Sequence, residues 1–157
     1  MSTIQSEHFI KACLVMLEET FDKVIGIYLD KGTSLFETLS GISAEEASIP
    51  VGGKCATLAA QVKHVAFYLD VVDKSVKDPN FPRVNWTEIW NNVNVVDETE
   101  WQAIQEELRH AYARIQELIR STPAWSSERE IGGAIGVITH TAYHLGEIRQ
   151  ALCTLKS

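Results

Sequence analysis

Two histidines stand four residues apart near the end of the chain, in the stretch THTAYHLGEIRQAL at positions 139–152. On a helix, side chains at positions i and i+4 lie one turn apart on the same face. His140 and His144 can therefore direct two imidazole nitrogens at one point. Imidazole is a common metal ligand, and a divalent ion satisfies both nitrogens at once. The spacing indicates a metal site, provided that a third ligand lies nearby.

His64 is the candidate for that third ligand. It falls near the middle of a helical pattern over 54–77, and the histidine pair falls near the middle of another pattern over 128–156. Mid-helix positions of two packed helices meet at a similar level whether the helices run parallel or antiparallel. The alternative is that these are ordinary core histidines with hydrogen-bonded nitrogens, because an isolated HxxxH pattern is weak evidence for a metal.

The other histidines and the cysteines of the chain form no recognisable metal-binding or catalytic motif. Cys13, Cys55 and Cys153 are odd in number and far apart, and they form no CxxC pair. This usage favours reduced thiols in a cytoplasmic protein. His8 and His110 are predicted to be solvated and to have no role.

Composition excludes several classes of partner. The chain has 14 basic and 21 acidic residues, giving a formal charge of −7, and the basic residues are scattered. Nucleic acids and anionic membrane surfaces both require a concentrated basic face, so neither is expected as a partner. We find no pattern of a signal peptide and no apolar run long enough to span a bilayer.

Hydrophobic periodicity predicts an all-α protein. Four long helices are expected over 5–29, 54–77, 98–121 and 128–156, with a short helix over 34–39. The chain contains no convincing strand pattern, internal repeat or second domain, so we predict a four-helix bundle in a single domain over 1–157.

The connection at 78–96 is longer than two adjacent antiparallel helices require, and it suits a crossover over one end of the bundle. It carries Trp86 and Trp90, and Trp101 follows shortly after it. These three tryptophans either line a substrate mouth or anchor the connection.

The last predicted helix has two apolar faces. Its expected core stripe does not include the histidines, which lie on a second face with small and apolar residues; the stripe is Ile131, Ile135, Ile138, Ala142, Leu145, Leu152 and Leu155. A helix that is apolar nearly all round is expected to be buried nearly all round. Four glycines at 132, 133, 136 and 146 would allow another backbone to approach closely. We therefore expect part of this helix to join a second subunit in a two-fold dimer; the alternative is a wide bundle with both faces internal.

The segment HTAYHLGEIR, from His140 to Arg149, resembles the last-helix motif of the DinB/YfiT-like superfamily. TLAAQVKHVAFYLD, around His64, is similar to the second helix of that family, which supplies one histidine. The resemblance implies an up-down-down-up four-helix bundle, often dimeric, in which His64, His140 and His144 hold a divalent metal. Glu147 stands where the family usually has glutamine, so it is either a group that orients a ligand or acts as a base, or a plain surface charge.

Three neutral imidazoles leave an ion its full charge and an open coordination position, as in catalytic zinc sites. Zinc is the first expectation, and nickel, iron or manganese also suit such ligands. Tyr143, inside the motif, is expected either to donate a hydrogen bond to substrate or simply to pack.

Three functions remain open from the sequence. The first is a metal-dependent transferase that activates a low-molecular-weight thiol towards a small-molecule substrate, because some members of the superfamily use bacillithiol or mycothiol. The second is a metal-dependent hydrolase with Glu147 or Asp70 as the base. The third is a non-enzymatic metal- or ligand-binding stress-response module.

Overall fold

The computed structural model describes residues 4–50, 55–78 and 80–155, and within these ranges the chain is all-α. Its seven helices are α1 Ser6–Phe21, α2 Leu35–Leu39, α3 Ala44–Ala47, α4 Leu58–Lys77, α5 Glu88–Asn92, α6 Glu98–Ser121 and α7 Glu128–Leu155. The described residues contain no strand, only one isolated antiparallel bridge between Pro50 and Thr57. The all-α prediction is confirmed.

The four long helices enclose one hydrophobic core. α4 packs along α6 and also contacts α7, while α1 contacts both α6 and α7. Leu17, Leu69, Leu108 and Ile148, one from each long helix, are fully buried in this core. Among the described residues, no helix has the combined length and hydropathy to cross a membrane.

Helix α6 forms as predicted. Asp97 accepts the backbone N–H of Glu100, and the Glu100 carboxylate accepts the N–H of Asp97, so both ends of a capping box are satisfied. Its buried face begins at Trp101 and continues through Leu108 to Ile119. Arg114 on the same helix donates a hydrogen bond to the carboxylate of Asp70 on α4.

The first helix is shorter than predicted. It ends at Phe21, eight residues before the expected end at 29. The cause is Glu19, whose buried carboxylate accepts the backbone N–H groups of Ile27, Tyr28 and Leu29 at 2.7–2.9 Å. Burial alone would raise the pKa of Glu19. The hydrogen bonds from these N–H groups act in the opposite direction, and the pKa of Glu19 is lowered overall. The chain reverses through Gly26, at φ +91°, and the apolar pattern beyond Phe21 therefore does not continue the helix.

Two other boundaries also differ. Helix α4 begins at Leu58, because the hydroxyl of Thr57 caps it by accepting the N–H of Ala60; position 54, where the prediction began, lies outside the described residues. The short helix α2 begins after a Ser34 capping box, close to the predicted range. The last predicted residue of the final helix, 156, also lies outside the described residues.

The predicted core stripe of the last helix is only partly right: Leu145 is buried, and Ile138, Leu152 and Leu155 pack against the core, but the most buried face is a different one. The buried residues of α7 lie on the face that carries the histidines: Ala134, Val137, Thr141, His144, Leu145, Ile148 and Ala151. Ile135, from the predicted stripe, is 48% exposed. The histidine face of α7 carries several small side chains, which let the helix lie close to its neighbours. This face is therefore buried, although the opposite face carries more isoleucines.

The prediction that this helix is buried nearly all round is also wrong for the single chain. A Cβ atom added at Gly132, Gly133 or Gly146 would meet open space, and at Gly136 it would meet only the hydroxyl of Tyr68. No backbone of the described chain therefore approaches these glycines closely. An exposed face of small and apolar residues remains along α7.

Candidate metal centre

Helices α4 and α7 bring His64, His140 and His144 into one cluster. A ligand atom from each side chain lies within 4.8 Å of the other two. The imidazole centroids are 4.6 Å apart for His140 and His144, 4.8 Å for His64 and His144, and 5.3 Å for His64 and His140. His64 and His144 are buried, and His140 is half-buried. The helical spacing brings the pair together, and the packing of α4 on α7 adds the third ring.

Two of these rings have a buried nitrogen without a hydrogen-bond partner in the described chain, Nδ1 of His64 and Nε2 of His140. The buried Nδ1 of His144 makes no aligned hydrogen bond either, but it faces the carboxylate of Glu147 at 2.9 Å. A buried polar atom without a partner is costly, so the unpartnered nitrogens of this cluster require an explanation. A divalent ion supplies one, because it accepts lone pairs from all three neutral imidazoles together. The donor set therefore fits a metal.

The surroundings keep the rings neutral, as metal ligation requires. Burial, together with the smaller effects of His144 and His140, lowers the pKa of His64 to about 4, whereas Glu147 opposes the shift. Burial likewise lowers the pKa of His140 to about 4, with an added effect of His144. For His144, burial lowers the pKa and Glu147 again opposes the change.

Glu147 lies beside the cluster, one turn after His144. Its Oε2 is 2.9 Å from Nδ1 of His144, although the ring nitrogen is not aligned for a hydrogen bond to it. The same carboxylate raises the pKa of the Tyr143 hydroxyl by accepting its hydrogen bond and by its charge. Tyr143 is 62% exposed, and its ring is 5.1 Å from that of His144. A carboxylate next to a ligating histidine can fix its orientation and raise its basicity.

Aromatic rings cover the other side of the histidines. The indole of Trp90 stacks on His64 at 4.5 Å, and the ring of Tyr68 stacks on His140 at 3.8 Å. Trp86 meets His64 edge-on at 6.2 Å. These rings limit how far the imidazoles can rotate. Tyr68 lies four residues after His64, so its helical spacing was a signal that it shares the same face.

Other candidates from the sequence lie elsewhere. Trp101 is buried in the core and donates its Nε1–H to the carbonyl of Ile42, so it lines no substrate mouth. Asp70 pairs with Arg114 on α6 and with Lys74. His8 and His110 are exposed, as predicted.

A cleft of about 490 Å³ runs between the start of α4 and the second half of α7. Glu147 and Tyr143 line it from α7, and Gln61 and Cys55 line it from the other side. Because Glu147 also contacts His144, this cleft adjoins the histidine cluster. It provides space for a small molecule beside the candidate ligands.

The metal-free protein is expected to lose stability as the pH falls from about 6.5 to about 4. In that range the unfolded chain protonates His64 and His140 while the folded chain does not, so the unfolded state binds more protons and is favoured. Urea unfolding at stepped pH measures this slope. Replacing both residues by glutamine should flatten it; an equal slope in this double variant and the parent would contradict the assignment.

No family model matches the chain, and no curated protein or solved structure matches it. The helical architecture and the cluster of His64, His140 and His144 are compatible with a DinB-like metal-binding protein.

Proposed function

We propose that this protein binds one divalent metal ion through His64, His140 and His144. The observation that carries the proposal is the convergence of the three rings, with one ligand atom of each within 4.8 Å of the others. The buried nitrogens of His64 and His140 that lack a hydrogen-bond partner in the described chain support it. Three neutral imidazoles suit zinc first, and nickel, iron and manganese also fit them.

The proposal includes membership of the DinB/YfiT-like superfamily, with a single domain over 1–157 in a cytoplasmic protein. It is supported by four long helices that share one core and by the motif from His140 to Arg149. An up-down-down-up four-helix bundle accounts for the contacts of α1 and α4 with both α6 and α7, and for the long connection before α6.

The leading activity is transfer of a low-molecular-weight thiol to an electrophilic small molecule. When bound, a divalent ion with an open coordination position would lower the pKa of a thiol or a water molecule at that position. Glu147 holds the imidazole of His144 in place, and the cleft lined by Tyr143 and Gln61 receives the substrate. The exposed Tyr143 would donate its hydroxyl hydrogen bond to the substrate in place of Glu147.

The second candidate is a metal-dependent hydrolase. The carboxylate of Glu147, beside His144 in the same cleft, favours it because a hydrolase needs a base near the site where water is activated. Asp70, already paired with Arg114, is the weaker choice for that base.

Metal content tests the central proposal. Elemental analysis of protein purified without added chelator should give about one ion per chain, since three ligands converge on one point. His64→Ala should remove most of it, whereas His110→Ala, at an exposed histidine on α6, should retain it. Equal metal in the parent and the His64→Ala variant would overturn the site.

Activity tests the choice between functions. Metal-loaded protein should conjugate monochlorobimane faster with one of bacillithiol, mycothiol or glutathione than the chelated protein does. Rates that are unchanged by metal removal for every thiol would reject the transferase. Metal-dependent ester or amide hydrolysis would then favour the second candidate, and full metal occupancy without either activity would favour a binding module.

We further propose that the exposed face of α7 joins a second copy in a homodimer. Ile135 exposes 48% of its surface there, beside Gly132 and Gly133, where an added Cβ would meet open space. Burying this apolar surface would favour association.

Light scattering at micromolar concentration should give about twice the chain mass of 17.5 kDa. Ile135→Glu should halve the measured mass, because it introduces a charge into the proposed interface. Val76→Glu, at an exposed valine on α4, should leave the mass unchanged. A monomeric mass for the parent protein would reject the dimer.

A further inference from the structure

Gln61 is a half-buried polar residue on the same helix as His64. It lies on α4 three residues before His64, and its Oε1 is buried without a hydrogen-bond partner in the described chain. Side chains at i and i+3 of a helix are neighbours on one face. The unpartnered amide oxygen is therefore on the same side of α4 as the unpartnered imidazole nitrogen.

The cleft gives an independent indication of where Gln61 lies. Gln61 lines it from α4, and Glu147 lines it from α7. Glu147 is also the residue whose carboxylate is 2.9 Å from the ring of His144. Gln61 thus borders the histidine cluster both along its own helix and across the cleft. Since Oε1 is buried and makes no hydrogen bond in the described chain, its lone pairs are available to a bound ion or water.

We infer that the side-chain oxygen of Gln61 is a fourth protein donor to the metal ion. This inference rests on the metal binding proposed above. A carbonyl oxygen is neutral, so it adds a ligand without reducing the charge of the ion. Amide oxygens are accepted most readily by the harder ions among those considered, such as manganese and iron(II).

The number of donors has a consequence for substrate binding. Four protein donors complete the coordination of a tetrahedral zinc ion, whereas a five- or six-coordinate ion keeps one or two positions open. With Gln61 as a ligand, a substrate reaches the metal either by displacing this weak neutral donor or by binding an ion of higher coordination number. The long, unbranched glutamine side chain allows the displacement without movement of α4.

Metal affinity and stability distinguish a ligand from a merely unsatisfied core group. Gln61→Leu removes the oxygen and retains an apolar side chain of similar length. Because it also removes a buried group without a partner, it should leave the metal-free protein as stable as the parent or more so. If Gln61 is a donor, the same substitution must weaken metal binding, so the two effects have opposite signs.

Competition titrations with zinc and nickel test this directly. Gln61→Leu should weaken binding by about ten-fold or more, since even groups that only support a ligand cost about 10–100-fold. Gln61→Glu, which keeps an oxygen at that position, should bind at least as tightly as the parent. Gln150→Leu is the matched control, because Gln150 lines the same cleft but is exposed.

The visible spectrum of the cobalt-loaded protein separates direct from indirect contact. Loss of a ligand should change the cobalt absorption bands in Gln61→Leu and leave them unchanged in Gln150→Leu. Parent-like affinity in Gln61→Leu, or weaker binding with an unchanged cobalt spectrum, would overturn the inference. Failure of the parent itself to bind metal would instead overturn the proposed function.

Discussion

The burial of three neutral imidazoles between α4 and α7 is the constraint on which the centre depends. Burial removes these rings from the hydrogen bonds that water would offer, and the described chain provides no replacement for Nδ1 of His64 or Nε2 of His140. Such an arrangement persists only if the helices hold the rings together by packing made elsewhere. Leu69 on α4 and Ile148 on α7, both fully buried, belong to the core that does so, and α6 lies along α4 to support it.

Aromatic rings pack against the imidazoles on one side, and a cleft lies near them on the other. A reactive centre needs both a rigid set of ligands and room for a substrate. Trp90 and Tyr68 stack on His64 and His140, which leaves these imidazoles little freedom to turn. On the other side lies a cleft that contains the carboxylate of Glu147. Rigid rings would reduce the entropy lost when an ion binds, and the cleft would hold a small molecule next to Glu147.

The sequence was sufficient wherever a local pattern determined the structure. The spacing of His140 and His144 predicts one face of one helix, and Asp97 with Glu100 predicts where α6 begins. The sequence was insufficient where a contact between residues far apart in the chain determined where a helix ends or which face is buried. A glutamate such as Glu19 is expected at the surface, yet it is buried. Its carboxylate accepts backbone N–H groups of the segment after α1, including that of Ile27, so this segment does not continue the helix. In α7, the apolar pattern correctly included Leu145 but missed the buried face that carries the histidines, because burial depends on the helices that pack against it.

X-ray absorption on the protein loaded with one equivalent of zinc tests the central claim most directly, since it reports the atoms around the ion. We expect a first shell of nitrogen and oxygen at about 2.0–2.1 Å, outer-shell scattering from three imidazoles, and no sulfur. Loss of one imidazole in His64→Ala would complete the assignment. A sulfur shell at about 2.3 Å, or scattering unaffected by that substitution, would contradict a centre built from His64, His140 and His144.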